Sequence, residues 1–467
     1  MLFRINFCAF IIGFIFLHQS VFAQTIQPDS LKSIIKKSLT YIINHQYKET
    51  KSYNFIGEWH SNMGLSLPFP LLGKPKDYDD QNCFTTVGIH NLLAKIYLAD
   101  SVNYKYIYPT LQLAYTATLV FRDSTTFNFW HKLPSNLNRK NKQGIKPLVR
   151  RPTTFYLKSN FMRKAANIMD DADDTAEGYM AAWLQNKIHH RENLMSLAPE
   201  LNRYIDLNRK NFHWYNYNRA DKSNSGAYLT WLGNENRLWP KSIITTFFHN
   251  LIFFLPISEC FPKAYTPYMP YGTNDVDAIV NANILSFLAA NSELSDSGNY
   301  KQVVAFIHRK IMRKKFGSAA IYYPNRFHLH HAVAKAFNAG ASALLPSIDS
   351  LILDLKSQQL SDGSFESKKI VNDKDKIQST AYALSALLNA GNFKLYNTKS
   401  EIEAAINYLL NTKIESETES YWEGGVFFSG GTVVRKCLFF KSDAYTTALI
   451  SQCFVLYLSL SEKNEWG

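Results

Sequence analysis

The feature that most constrains the fold is the alternation of two kinds of helix along the chain. Helices with one charged face recur, for example at residues 31–46 and 401–413. A second kind is apolar on almost every face and rich in small residues, as at 85–99 and 444–458. A helix charged along one side keeps that side in water, whereas a helix that is apolar all round is buried on most sides. The alternation therefore predicts an outer and an inner layer of helices.

Helices of the apolar kind recur at an interval of roughly 50 residues in the C-terminal half, and such a fixed period is typical of repeat architectures. Strand signals are sparse throughout. We therefore predict an all-α fold in which the helices close into an α/α toroid, a double-walled barrel around a central cavity. Residues 24–467 are predicted to form this single domain. The period is lost between residues 190 and 270, where we predict an irregular, aromatic-rich insertion.

Residues 1–23 are typical of a secretory signal peptide. Arg4 supplies a positive charge, residues 7–17 form an apolar stretch too short to span a bilayer comfortably, and Ala23 is a small residue at the cleavage site. We therefore predict export, either to the periplasm or out of the cell. Export permits disulfide bonds, but the pairing is left open for the four cysteines of the mature chain, Cys83, Cys260, Cys437 and Cys453.

The formal net charge is +13, from 51 Lys+Arg against 38 Asp+Glu. Part of the excess lies in a basic, polar segment at residues 138–152. Such a segment is either a solvated loop or a surface for anionic lipid or a diphosphate, so association with a membrane surface stays an option. Nucleic acid is not expected as a partner, because no recognisable binding motif is present.

Four aspartates lie where one inner helix begins, within NIMDDADDTAEGYMAAWL at residues 167–184: Asp170, Asp171, Asp173 and Asp174. One aspartate is enough to cap a helix N-terminus, and negative charge suits its first turn. Four exceed that need and repel one another, so their pKa values split and a proton is retained among them. The cluster predicts a helix cap combined with a site for proton chemistry.

Two motifs carry a resemblance to the superfamily of terpenoid cyclases and protein prenyltransferases. KSQQLSDGSFES, at residues 356–367, resembles the glutamine-to-aromatic repeat of squalene–hopene cyclases, with Phe365 where tryptophan is usual. DADDTA, at residues 171–176, is similar to the D-x-D-D-T-A motif of class II terpene cyclases at every specified position. The resemblance implies an α/α toroid that cyclises an isoprenoid or a similarly apolar substrate after protonating it.

The same resemblance implies a role for each aspartate of the motif. Asp173 is the expected proton donor, and Asp171 and Asp174 are the expected supporting carboxylates, which orient the donor and stabilise the anion that it leaves. The carbocation needs aromatic faces, which 27 Tyr, 32 Phe and 8 Trp make available.

No cofactor or metal is expected, with one exception. Asp170, Asp171 and Asp174 also spell D-D-x-x-D, the diphosphate–magnesium pattern of class I synthases, and carboxylate oxygens suit magnesium. Magnesium is therefore an option if the substrate is a diphosphate, although the partner motif of those synthases is not visible. The histidines at 328–331 have only loose metal spacing.

Two other functions stay open. Asp275 and Asp277 begin another inner helix, whose N-terminus should lie at the same end of the cavity as the acid cluster. Paired carboxylates serve glycoside hydrolysis, and Trp214 and Tyr215 are candidates for stacking on a sugar. The first alternative is a carbohydrate-active toroid, either a hydrolase or a lyase, in which Asp275, Asp277, Trp214 and Tyr215 bind the substrate. The second alternative is a toroid that binds a lipid or a glycan without catalysis.

Overall fold

The computed structural model describes residues 26–51, 54–65, 78–134, 143–146, 148–153, 169–192, 195–206, 225–232, 276–316, 319–320, 322–367, 375–430 and 438–466. The predicted signal peptide and most of the predicted insertion lie outside these residues. So do five of the side chains singled out above, namely Trp214, Tyr215, Cys260, Asp275 and Cys437.

Helices make up most of the described chain. In chain order they are α1 (Pro28–Asn44), α2 (Cys83–Ala99), α3 (Tyr108–Leu119), α4 (Ala172–Ile188), α5 (Ala198–Leu201), α6 (Ala278–Ala290), α7 (Tyr300–Met312), α8 (Arg326–Asn338), α9 (Leu345–Gln358), α10 (Asp375–Ala390), α11 (Phe393–Tyr396), α12 (Lys399–Thr412) and α13 (Asp443–Glu462). Short 3₁₀ turns precede or follow some of them, at Lys105–Ile107, Asn202–Tyr204 and Ser342–Leu344.

The inner helices form a closed cycle of contacts. Helix α2 packs on α4, α4 on α6, α6 on α8, α8 on α10, α10 on α13, and α13 packs back on α2. Each outer helix packs on a member of this ring: α1 on α13, α3 on α2, α7 on α6, α9 on α8 and α12 on α10. The predicted all-α toroid with an inner and an outer wall is therefore confirmed.

The two helix kinds bury different amounts of surface. Outer helix α1 buries a single stripe that includes Leu31, Ile35 and Ile42, and its lysines stay on the solvent side. Inner helix α6 buries every residue from Ala278 to Leu288. Full burial of a side chain such as that of Ile42 contributes about 1.5–3 kcal/mol. The hydrophobic pattern therefore decides which wall a helix joins.

The glutamine-to-aromatic repeat connects one outer helix to the next. The Gln359 side chain, just after α9, donates hydrogen bonds to the carbonyl oxygens of Gly363 (3.0 Å) and of Glu401 in α12 (2.8 Å). Phe365, the aromatic residue of the repeat, is fully buried, and its N–H donates to the Thr380 hydroxyl at 3.0 Å. The repeat therefore fixes the spacing of α9, α12 and the inner helix between them.

A second copy of this arrangement starts at Gln46, just after α1. The Gln46 side chain donates to the carbonyl oxygens of Gly57 and Thr110, both at 3.0 Å. Trp59 is fully buried, and its indole N–H donates to the carbonyl oxygen of Ile42 at 2.8 Å. The first outer helix is thus joined to α3 in the way that α9 is joined to α12.

Short strands occur in the links that lead into inner helices: β1 (Ser61–Leu65), β2 (Tyr78–Asp80), β3 (Arg122–Asp123), β4 (Thr126–Phe127), β5 (Lys132–Pro134), β6 (Leu148–Arg150), β7 (Ile414–Glu415), β8 (Ser420–Tyr421), β9 (Val426–Gly430) and β10 (Leu438–Lys441). Four of them form an antiparallel sheet in the order β2-β1-β10-β9, with Asn62 opposite Lys441. The others form the two-stranded ribbons β3–β4, β5–β6 and β7–β8. The strands therefore lie at the end of the toroid where the inner helices begin.

Two arginines of the predicted basic loop are buried. Arg150 donates to the carbonyl oxygen of Trp130 at 2.9 Å and pairs with Asp123 at 2.6 Å. Arg151 donates to the carbonyl oxygen of Pro134 at 2.8 Å. The prediction that this segment is either solvated or faces an anionic partner is therefore wrong for these two residues, because their guanidinium groups satisfy carbonyl groups inside the fold.

Helix α13 is the one described helix that is long and apolar enough to cross a membrane, and 78% of its apolar window is buried inside the protein. It belongs to the inner ring, so its composition follows from packing. Cys453 in α13 and Cys83 in α2 are buried free thiols. Burial raises the pKa of Cys453 to about 12, so this thiol stays protonated.

We expect Gly363→Ala to destabilise the toroid more than Gly391→Ala. Gly363 has a φ of +83°, and a Cβ there would lie 2.3 Å from the carbonyl oxygen of Ala404 in α12. Gly391 also has a positive φ, +66°, but nothing lies within 4 Å of its Cβ position. Backbone strain costs each variant about 1–3 kcal/mol, and overpacking should cost Gly363→Ala about 1–3 kcal/mol more. Urea unfolding followed by circular dichroism measures both; equal losses would show that the close approach to α12 is not the constraint.

Candidate active site

The start of α4 is fixed by a neighbouring segment on each side. The Asp171 N–H donates to the carbonyl oxygen of Phe127 at 3.2 Å, and the Ala172 N–H donates to that of Thr230 at 2.8 Å. Thr230 belongs to the short described part of the predicted insertion. The acid motif therefore begins in an extended residue held between two other links, and only then turns into a helix.

Asp171 is the N-cap of α4. Its Oδ1 accepts hydrogen bonds from the N–H groups of Asp173 (3.1 Å) and Asp174 (2.8 Å), and the Thr175 hydroxyl donates to its carbonyl oxygen at 2.6 Å. Burial raises the pKa of Asp171 to about 6, although hydrogen bonds from Asp174 act against the rise. Asp171 is therefore mostly ionised at pH 7.

Asp173 is a buried acid with one oxygen unused by the fold. Its Oδ1 accepts a hydrogen bond from the Asn283 amide at 2.8 Å, and its Oδ2 has no hydrogen-bond partner among the described residues. Burial raises the pKa of Asp173 well above its usual range; Asn283 acts against this, and the charges of Glu177 and Asp171 add to it. Burial thus favours the protonated form of Asp173, with Oδ2 as the oxygen that can carry the proton.

Asp174 is the third carboxyl group of the acid motif. Burial raises its pKa well above the usual range, the charge of Asp171 and a hydrogen bond to that carboxylate raise it further, and the Cys83 thiol acts against the rise. The pKa of Asp174 is thus raised more strongly than that of its neighbour Asp171, which is the split in acidity that crowded carboxylates produce. The structure therefore brings together all three carboxyl groups of the predicted catalytic motif.

Asp170 has a different position from the other three aspartates. Its carboxylate oxygens accept hydrogen bonds from the Thr126 hydroxyl (2.5 Å) and from the Asn128 amide (2.9 Å), which connects the β3–β4 ribbon to α4. Within the described residues, no three His, Cys, Asp or Glu side chains are grouped so that they could hold a metal ion. The D-D-x-x-D pattern thus does not form such a group, and a role for magnesium stays a prediction.

A narrow cavity runs inside the ring. Each of the six inner helices contributes to its wall, for example through Phe84, Glu177, Asn283, Lys335, Ser385 and Tyr445. The cavity volume is about 50 Å³. Small-molecule sites typically measure about 300–1,000 Å³, so the cavity between the described residues is smaller than a typical site. Asn283 connects this cavity to Asp173, because it lines the wall and donates to that acid.

Two aromatic rings, those of Phe84 and Tyr445, line one part of the cavity, and Phe427 packs on both. The rings of Phe84, Phe427 and Tyr445 form a triangle, with centroids 5.4 Å (Phe84–Phe427), 5.0 Å (Phe427–Tyr445) and 5.9 Å (Phe84–Tyr445) apart. Burial raises the pKa of the Tyr445 hydroxyl, a hydrogen bond with Tyr382 acts against the rise, and the charges of Glu177 and Asp173 add to it. Gly88 makes room for Tyr445, because a Cβ at Gly88 would lie 2.9 Å from the ring.

The rest of the wall is polar. Glu177 follows Asp173 by one helical turn and accepts hydrogen bonds from Lys335 (2.6 Å) and Asn91 (2.8 Å). Although burial alone would raise the pKa of Glu177, the charge and hydrogen bond of Lys335 hold it below its usual range. Our sequence analysis missed Glu177, Asn91 and Lys95. Their spacing was a usable signal, since residues four apart on a helix share a face.

The three histidines of α8 do not gather around one point. His328 and His331 line the cavity, where His331 Nδ1 is 2.8 Å from the Ser385 hydroxyl. The ring of His330 instead has its Nε2 2.9 Å from the Asp354 carboxylate of α9. Burial lowers the pKa of all three rings, so His328 and His331 are neutral polar groups in the wall.

Asp277 is the N-cap of α6. Its Oδ1 accepts from the N–H groups of Ile279 (2.7 Å) and Val280 (3.2 Å), and its Oδ2 accepts from the N–H of Tyr322 (3.3 Å). Both oxygens are therefore used by the backbone, and Asp277 is not among the residues that line the cavity. The substrate-binding role predicted for it, and for Asp275, Trp214 and Tyr215 outside the described residues, stays a prediction.

No protein-family profile and no curated protein sequence matches the chain, but solved structures share its fold. A variant of the type II terpene cyclase MstE from Scytonema, in complex with its substrate geranylgeranyl dihydroxybenzoate, has a TM-score of 0.52 at 14% identity; 92% of this chain and 97% of that chain are covered. Another MstE variant, without ligand, has a TM-score of 0.52 at 15% identity over the same shares of the two chains. A possible member of the GH105 family from Klebsiella pneumoniae has a TM-score of 0.47 at 11% identity, with 93% of this chain and 94% of that chain covered.

These likenesses concern the fold. The chain shares the α/α-toroid fold of the MstE structures, which is the fold that the resemblance of residues 171–176 and 356–367 implies. Since almost the whole of the MstE chain is covered, a type II terpene cyclase of about this length has the same architecture.

We expect Asp171→Asn to flatten the dependence of stability on pH. A buried carboxyl with a raised pKa favours the folded state while it is protonated, and this contribution is lost as pH rises from about 4 through the folded-state pKa of about 6. The loss should be about 3 kcal/mol, because the pKa is raised by about two units and one unit corresponds to about 1.4 kcal/mol. Asparagine caps a helix as well as aspartate does, so the variant should keep its stability at pH 7 or gain some. Urea unfolding between pH 4 and pH 8 tests this; an unchanged pH profile would contradict it.

Proposed function

We propose that this protein is a class II terpene-cyclase-like enzyme, which starts the cyclisation of an isoprenoid or similarly apolar substrate by protonating a carbon–carbon double bond. The observation that carries the proposal is Asp173, a buried acid that has a raised pKa and an unused oxygen and that Asn283 of the cavity wall contacts. The likeness in fold to MstE, whose substrate is a geranylgeranyl compound, supports the choice of substrate class.

The carboxyl groups of Asp171, Asp173 and Asp174 have different roles in this reaction. Asp173 Oδ2 transfers its proton to the alkene, and a C–H bond forms while the O–H bond breaks. Asn283 then stabilises the carboxylate, since its amide donates to Oδ1 at 2.8 Å. The Asp171 carboxylate caps the helix, and Asp174 is hydrogen-bonded to Asp171. These two carboxyl groups therefore keep a constant electrostatic environment around Asp173. The final carbocation loses a proton, and the product is an isomer of the substrate.

The triangle of Phe84, Phe427 and Tyr445 supplies the aromatic faces that the carbocation needs. Each ring face stabilises a nearby cation by about 0.5–2 kcal/mol once water is excluded. Phe84 and Tyr445 line the cavity, and Phe427 packs on both. The carbocation would therefore form next to rings that cannot react with it as water would.

One observation favours the runner-up, a carbohydrate-active toroid. Asp173 has a raised pKa and Glu177, one turn further along α4, has a lowered one. Two carboxyl groups whose environments separate their pKa values are the usual acid and base of glycoside hydrolysis. The polar part of the wall, which includes Asn91 and Ser385, suits a sugar. In this alternative Asp173 works with Glu177, and not with Asp277.

We expect Asp173→Asn to lower the rate of cyclisation by about 10²–10⁴-fold, the usual contribution of a general acid. The purified protein would be incubated with geranylgeraniol, geranylgeranyl diphosphate, geranylgeranyl dihydroxybenzoate and squalene, with and without magnesium. Liquid chromatography with mass spectrometry would detect a product of unchanged mass and shifted retention.

Asp206→Asn is the matched control, because it makes the same chemical change at a buried aspartate that does not line the cavity. Asp206 Oδ2 accepts from the N–H and the hydroxyl of Ser225, which the amide oxygen of asparagine can also do, so this variant should keep wild-type turnover. Folded wild type that cyclises none of the four compounds, or Asp173→Asn that cyclises as fast as wild type, contradicts the cyclase proposal. Glycan cleavage that needs both Asp173 and Glu177 would establish the runner-up in its place.

A further inference from the structure

A pair of lysines occupies the part of the cavity far from the aromatic triangle. On α2, the cavity wall includes Phe84 near the start of the helix and Lys95 near its end. The eleven residues between these positions correspond to a rise of about 16 Å along the helix. Lys335 of α8 lines the same cavity, three residues before that helix ends. The cavity thus has an aromatic end and a cationic end.

The positive charge at the cationic end is not balanced by the described residues. Lys335 pairs with Glu177 at 2.6 Å. Lys95 has neither a hydrogen bond nor an ion pair to any described side chain or backbone group, although it lies within the field of Glu177 and Lys335. His328 and His331 add no charge, since burial lowers the pKa of both. One carboxylate therefore faces two ammonium groups.

An unpaired ammonium in such a place is costly to the fold. Burial, together with the charge of Lys335, lowers the pKa of Lys95 to about 8, so the group stays mostly charged at pH 7. Lys95 is half-buried, and partial removal of a charge from water without a partner is unfavourable. A methionine of similar length would avoid that cost, so the packing of the toroid gives no reason for a lysine here. A ligand that brings a negative charge would supply the missing partner.

We propose that the cationic end of the cavity is a subsite for an anionic head group, a carboxylate or a phosphate, of an amphipathic substrate whose apolar chain extends toward Asp173. Lys95 and Lys335 bind the anion. Gln452, which lines the same space, offers its amide as a further donor. The direction of the chain rests on the function proposed above, whereas the anion subsite rests on the lysines alone.

The subsite is tested by isothermal titration calorimetry on the mature chain with decyl phosphate, decanoate and decanol, all below the concentration at which they form micelles. We expect at least one of the two anions to bind at least ten-fold more tightly than decanol. A preference between decyl phosphate and decanoate identifies which head group the subsite takes.

Lys95→Met is the decisive variant. It should weaken binding of the preferred anion at least ten-fold, leave decanol binding unchanged and raise Tm, because an unpaired, half-buried charge is removed. If Lys95 had only a structural role, its substitution would lower Tm. Lys356→Met is the matched control: Lys356 pairs with Glu401 at 3.4 Å on the outer wall, and its loss should leave anion binding unchanged.

Three results would overturn the subsite: decanol that binds as tightly as both anions, no binding of either anion, or full anion affinity in Lys95→Met. Asp173→Asn separates this proposal from the cyclase proposal. If that variant and wild type bind the anion equally and neither cyclises anything, the cyclase proposal fails and the subsite stands. If wild type cyclises neutral and anionic isoprenoids equally well, and Lys95→Met does the same, the subsite fails and the cyclase proposal stands.

Discussion

The structure depends on how the first turn of each buried inner helix is satisfied. The leading N–H groups of a helix have no partner within the helix, and inside a ring of helices water cannot reach all of them. Five of the six inner helices begin at a side chain that accepts these N–H groups: Asn82, Asp171, Asp277, Asn325 and Ser442. At α4 the cap is an aspartate with two more aspartates in the turn that it caps. The demand for a cap thus explains Asp171, and it leaves Asp173 and Asp174 as acids in a dry environment.

The cavity wall changes character along its length, and this change separates the functional alternatives. At one end the wall carries the rings of Phe84 and Tyr445, which suit a carbocation and offer a sugar little hydrogen bonding. Further along, Glu177 and the lysines make it strongly polar. A purely apolar substrate would leave those charges without a partner, whereas a substrate with both characters would match both parts. This match between the wall and a substrate with both an apolar and a charged part applies whether the reacting group is an alkene or a glycosidic bond.

Local features of the sequence predicted a large part of this structure. The helical periodicity of apolar residues distinguished inner from outer helices, because the buried positions of a helix recur once per turn. The acid motif identified three carboxyl groups that lie close together in the structure. The sequence did not predict that Arg150 and Arg151 are buried, because a basic, polar segment has the composition of a solvated loop. Lys95 and Lys335 were also missed. Whether a single lysine on an apolar helix faces solvent or a cavity depends on its neighbours in the ring, which are distant in sequence.

The pairing of β1 with β10 has a consequence for how the protein is made. Asn62 lies opposite Lys441, and α13 completes the ring by packing on α2, so the two ends of the chain must meet before the cavity exists. Contacts between residues so distant along the chain carry a large entropic cost and slow folding. An unfinished chain therefore carries its aspartates in water, where their acidity is ordinary. The unusual acid belongs to the closed ring and appears only when the last helix has been added.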